Sequence, residues 1–188
     1  MFNRYTNAVN NFVREGTVDK VYPSRHSARV TFEDRGNLVS AEIPVLTTFA
    51  SKNKAYNLPD VGERVVVLQT SNDPTSGSGY IIGSLYAGWE LPVVNDQDVT
   101  QINFKDGSYM TYNRRSSTFH MHFADGSTIT HNGKKGDLTM EMNGNIQITG
   151  HGWCKIDIDK RVDINGGDNI WIKARGDIIE QGSNIRLN

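Results

Sequence analysis

The sequence predicts an all-β protein: a small N-terminal barrel, then β-hairpins, then a C-terminal β-helix in which three copies of the chain intertwine. Three observations carry this. All five prolines lie at or before Pro92, and the 96 residues that follow contain none. Proline cannot donate to a strand ladder, so a long proline-free, glycine-rich segment points to continuous pairing. A hairpin motif recurs with a period of 19, and apolar residues recur every eight residues from Leu138 to Ile178. Such internal periods are read before anything else, because they decide the architecture.

The elements follow in order. Phe2, Tyr5, Val9, Phe12 and Val13 sit near helical spacing, so residues 2–14 are expected to form a short amphipathic helix that Gly16 stops, a helical arm over 1–15. From residue 16 to 88 the pattern is β. Strands are expected at 17–22, 28–33, 39–43, 64–69 and 80–85. In the second, Ala28, Val30 and Phe32 alternate with Arg29, Thr31 and Glu33, which gives the strand one wet face. Pro23-Ser24, Asp34-Arg35-Gly36-Asn37 and Asn72-Asp73-Pro74 break the chain between strands. Five strands with one long crossing loop between Pro44 and Gly62 fit a small closed barrel, of which the OB-fold is the commonest form.

Residues 89–103 read as a connector, with Trp89 and Pro92 ahead of the polar run Asn95-Asp96-Gln97-Asp98. Residues 104–137 read as a hairpin neck. There Phe104-Lys-Asp-Gly-Ser-Tyr-Met-Thr-Tyr-Asn113 matches Phe123-Ala-Asp-Gly-Ser-Thr-Ile-Thr-His-Asn132, and Asp-Gly between alternating strands is a strong hairpin signal.

Residues 138–188 carry the octads. Leu138, Ile146, Cys154, Val162, Ile170 and Ile178 are spaced by eight. Met140, Ile148, Ile156, Ile164 and Ile172 follow two residues behind. Residues i and i+2 share a strand face. The residue between is polar in Thr139, Gln147, Lys155 and Asp163, with Trp171 the exception, and glycines such as Gly144, Gly152 and Gly176 mark corners. A lone ribbon of this kind buries too little to offset the entropy of ordering it, and it leaves its strand edges open. Three chains wound about one axis form a prism with those eleven residues as its core. The alternative is a single-chain solenoid with three octads per coil. Only about two coils fit before Leu187, fewer than the roughly three repeats such folds need. Taking about one strand spacing of ~4.8 Å per octad, the β-helix is on the order of 30 Å long. The pattern falters at Glu180 and Arg186, which stand where apolar residues are due. Ile185 and Leu187 are one residue out of phase. The tip is therefore expected either to shift register or to dock another protein through Ile185 and Leu187.

Composition excludes several functions. Net charge is −1, and the first 88 residues hold nine basic and eight acidic side chains. That balance speaks against a nucleic-acid groove or an anionic-membrane binder. One cysteine rules out an intramolecular disulfide framework. No leader segment is read in the first residues, so synthesis in a cytosol is expected. His120 and His122 form the one His-x-His pair and are the candidate metal ligands. Phe119, Met121 and Phe123 alternate with them and are better core residues, which turns the histidines to solvent. Cys154 reads as a small core hydrophobe. Asp157, Asp159 and Asp163, with Lys160 and Arg161, read as a solvated outer face. No phosphate loop, zinc spacing or nucleophile elbow occurs. No enzyme and no cofactor are expected.

Several blocks resemble a known family. Gly16-Thr-Val-Asp-Lys-Val-Tyr22, Ala28-Arg-Val-Thr-Phe32, Leu58-Pro-Asp-Val-Gly-Glu-Arg-Val-Val-Val67 and Gly79-Tyr-Ile-Ile-Gly-Ser-Leu-Tyr86 look like the OB domain of baseplate assembly protein V, the central spike protein of contractile phage tails and related injection devices. The Asp-Gly-Ser hairpins and the octads look like its spike region. The resemblance implies a homotrimer in the virion tail whose OB domains dock on a hub protein. It implies a β-helix that meets the host outer membrane on contraction. Family members with a His-x-His pair at the tip bind iron there. This chain reads Ser183-Asn-Ile-Arg-Leu-Asn188, which implies a separate tip protein or a metal-free tip. The connector is too short for the lysozyme domain some relatives insert. An OB-fold nucleic-acid binder on a trimeric stalk, or a receptor-binding fibre, are the alternatives.

Overall fold

The computed structural model describes residues 12–71, 78–88 and 90–186. It holds two antiparallel sheets. The first is built from β1 (Val13–Tyr22), β2 (Ser27–Phe32), β3 (Leu38–Val39), β4 (Ile43–Pro44), β5 (Arg64–Gln69) and β6 (Gly79–Ser84), in the order β3-β2-β1-β5-β6 with β4 also on β2. The long loop after β4 closes it into a barrel: Val45 bridges Ile81, and the Leu46 N–H donates to the Ile81 carbonyl at 2.8 Å.

Alternation in β2 and β5 puts one set of side chains inside. Val18, Ala28, Val30, Phe32, Ile43, Val65, Val67 and Ile81 form the buried core. β1 is long enough to pair with both neighbours because it bends over this core, with a bulge between Val18 and Lys20. Gly16 permits the approach: a Cβ there would lie 2.5 Å from Val30 Cγ1 and 2.6 Å from the Thr31 carbonyl.

Three expectations change. The predicted helix over 2–14 lies mostly outside the described residues, but Val13 and Arg14 belong to β1, and Gly16 is a strand residue rather than a helix stop. Arg14 points inward, donating to Gln69 Oε1 at 3.0 Å and to Asp34 Oδ2 at 2.5 Å. Those partners satisfy the buried guanidinium. The single strand expected at 39–43 is two short ones, since buried Ser40 interrupts the ladder. Its hydroxyl replaces a backbone acceptor, taking the Val30 N–H at 2.9 Å.

The second sheet is a meander of β7 (Val99–Asn103), β8 (Tyr109–Asn113), β9 (Thr118–His122), β10 (Thr128–Asn132) and β11 (Asp137–Glu141), each paired with the next. It is wider than the 104–137 neck: β7 falls inside the expected connector, and β11 takes in Leu138 and Met140 of the first octad. Beyond it, residues 142–186 carry regularly spaced bends and no helix or strand.

Candidate functional site

The period of 19 has a structural cause. Each repeat is two five-residue strands, one four-residue turn and one five-residue turn. In the five-residue turn, Asp106 Oδ1 accepts the Ser108 N–H at 2.9 Å, and Ser108 Oγ in turn accepts the Ala124 N–H at 3.0 Å. The next turn repeats this, with Asp125 accepting from Ser127 at 2.8 Å and Ser127 Oγ accepting the Asn143 N–H at 3.0 Å. The Ser127 backbone N–H and hydroxyl hold the Asp125 carboxyl below its ordinary value. Gly107 and Gly126, at φ 90° and 85°, supply the left-handed step. A third such turn would need Asp-Gly-Ser at residues 144–146, where the chain has Gly144-Asn145-Ile146. The meander stops there.

Strand register divides the sheet into two unlike faces. Ile102, Met110, Met121, Ile129 and Met140 form one cross-strand row, and Thr100, Tyr112, Phe119, His131 and Leu138 form the next row on the same face. The opposite face carries Asn103, Tyr109, His122, Thr128 and Glu141, then Gln101, Thr111, His120, Thr130 and Thr139. One face is apolar and the other polar. Yet no residue of this sheet belongs to the buried hydrophobic core, and Ile102, Leu138 and Met140 are more than half exposed.

Leu138 and Met140 also begin the octad series, so the apolar face runs into the octads without a change of phase. The chain bends at residues 143–144, 151–152, 159–160, 167–168, 175–176 and 183, every eighth residue. Between bends lie straight six-residue segments, each holding one pair: Ile146 and Ile148, Cys154 and Ile156, Val162 and Ile164, Ile170 and Ile172. These side chains and Ile178 are exposed in the single chain, Ile148 to 87%. The polar contacts fall on odd-numbered residues. Gln147 reaches Thr149 at 3.3 Å, Lys155 pairs with Asp157, Arg161 meets Asp163 at 2.8 Å, and the Lys173 ammonium lies over the Trp171 ring at 5.1 Å. The same odd-numbered positions also hold the exposed Trp153, Trp171 and Ile179.

Among the described residues, no backbone–backbone hydrogen bond joins residues 144–186 to each other or to the rest of the chain. A single-chain solenoid would pair residues one coil, or 24 positions, apart; none of these does.

The other candidates are distributed as follows. His120 and His122 lie on the polar face. Nδ1 of His120 is 2.8 Å from Thr130 Oγ1, and His122 stacks on Tyr109 with centroids 5.0 Å apart. Among the described residues no three His, Cys, Asp or Glu side chains are grouped to hold a metal. Asp157 and Asp163 sit in the outer ion pairs. Ile185 is exposed, while Leu187 lies outside the described residues. Sequence reading missed Ile102, Met110, Tyr112 and Ile129 as part of the meander's apolar face. The signal was present, since both 19-residue repeats alternate apolar and polar residues in the same phase.

The first sheet is a small closed barrel with one long loop across its open side, the architecture of an OB domain. Residues 14–86 match the family described as the type VI secretion system/phage-baseplate injector OB domain. Over these residues the chain is similar to the baseplate assembly protein V family, which supports a baseplate-related structural role. A comparison with curated proteins finds no match. Among the described residues no helix is long and apolar enough to cross a membrane.

Proposed function

We propose that the chain is the central spike of a contractile phage-tail baseplate or a related injection device, assembled as a homotrimer. The observation that carries this is one uninterrupted apolar surface. It begins on the meander, passes through Leu138 and Met140, and continues as an octad stripe over residues 144–186, among whose described residues the backbone makes no pairing within the chain. Two further copies supply both missing halves. Three meanders pack apolar face to apolar face, and three tails wind into a prism that pairs every strand and leaves Lys155, Asp157, Arg161 and Asp163 outside. Eleven residues from Leu138 to Ile178 then line the axis.

In this reading the OB domain docks on the tail hub, and the narrow prism meets the outer membrane when the sheath contracts. Ile185 and Leu187 meet a separate tip protein. The work is mechanical: a closed, fully paired β-prism is stiff because every edge is satisfied. No catalytic residue, cofactor or nucleic acid enters it.

Light scattering on the purified full chain tests the reading. The expected mass is three chains of 21.0 kDa each. A single-chain mass at micromolar concentration removes it.

A further inference from the structure

Glu180 and Arg186 break the octad pattern, and the sequence alone leaves open a shift in register there. The backbone does not shift. Bends at 175–176 and 183 keep the eight-residue spacing of those before them, so segment 177–182 is laid out like its predecessors. Glu180 therefore stands in the place held by Ile148, Ile156, Ile164 and Ile172, and Arg186 in the place of Ile178 one octad later. Of the thirteen core-phase positions from Leu138 to Arg186, only these two are charged. They are opposite in sign and lie in consecutive octads. Neither is ion-paired to a described residue of its own chain.

We propose that Glu180 and Arg186 form an interchain ring of three carboxylates and three guanidiniums that closes the apolar core near the tip. The proposal rests on the trimer reading above. In that trimer the two layers are about one strand spacing apart, ~4.8 Å along the axis. Three converging carboxylates need counter-charge. Arginine keeps its proton under all ordinary conditions and matches a carboxylate with two parallel N–H donors. The six groups sum to zero charge. The ring also does what isoleucine cannot. Successive octads are so alike that a chain displaced by eight residues still packs like on like. Displacement past Glu180 leaves a buried charge unpaired, and fixing register is the best-attested use of buried polar groups.

The test uses the full chain with Glu180→Ile, Arg186→Ile and the exchange Glu180→Arg/Arg186→Glu, followed by light scattering, thermal melting and metal analysis. All three variants should remain trimers. Each single substitution should lower the melting midpoint of the trimer by more than about 5 °C. The exchange should recover most of that loss. Single variants with unchanged or raised midpoints, or an exchange no better than the singles, overturn the ring. So does one divalent cation per three chains that Glu180→Ile abolishes, since the carboxylates would then hold a metal instead. A wild-type chain that is monomeric overturns the trimer itself, and is distinguished by mass before any variant is made.

Discussion

The barrel and the segment from residue 99 onward use the same aliphatic side chains to opposite ends. In the barrel, Val30, Phe32, Val65, Val67 and Ile81 face one another across a closed sheet and are buried within one chain. In the meander and octads, Met140, Ile148, Ile164 and Ile172 are equally regular and stay exposed, because one layer of strands encloses nothing. Alternation is sufficient for burial only when the sheet closes on itself. Where it does not, the same alternation leaves an apolar face exposed, the face that the proposed trimer would cover.

The largest expected effect breaks that contrast on the interface side. Ile156→Asp puts three carboxylates at the axis of the proposed prism, with no cation near in phase. The trimer should be lost, with a single-chain mass by light scattering, while the OB barrel keeps its cooperative melt. The mirror experiment is Phe32→Ala, which empties the barrel core. A loss of about 3–5 kcal/mol is expected in barrel unfolding, read by denaturant titration. The trimer mass should be unchanged. If either substitution disrupts both regions alike, the two are not independent. Gly16→Ala comes next: its Cβ meets Val30 and the Thr31 carbonyl, and about 1–3 kcal/mol of barrel stability should go.

How much of this was legible in sequence follows from how local each cause is. The barrel strands at 64–69 and around 28–33 were readable because alternation is a property of neighbours. Arg14 was not. Its inward position depends on Gln69 and Asp34, 55 and 20 residues away, so a strand residue looked like the end of a helix. β7 was hidden in a polar connector, since Val99 and Ile102 alternate too weakly to reveal a strand that exists because β8 pairs with it. The octad was legible in full as a period. Its continuity with the meander face needed the register that places Leu138 beside His131 and Met140 beside Ile129.

A smaller effect concerns the turns. The Asp125 carboxyl is held below its ordinary value by Ser127, so it is ionised more readily folded than unfolded. Its contribution is complete above the ordinary aspartate value of about 3.9 and fades as pH falls through the lowered one. Asp125→Asn should lower the neutral plateau of the melting-temperature profile slightly and flatten its acid limb, with the two proteins converging at low pH. Smallest of all, Lys155→Ala removes an exposed outer pair worth roughly 0–1 kcal/mol, and trimer melting should barely move.

The missing third Asp-Gly-Ser turn also has a consequence in time. Strands β7 to β11 meet partners only a few residues away, so each chain can form its meander alone, within microseconds to milliseconds. Among the described residues no such local closure exists after Gly144, and in the proposed trimer every later pairing waits for another molecule. Folding of the octads is then a second stage, concentration-dependent at its start and progressive afterwards. Three meanders that have met hold their tails side by side, and the prism can advance from Leu138 toward Arg186 one octad at a time.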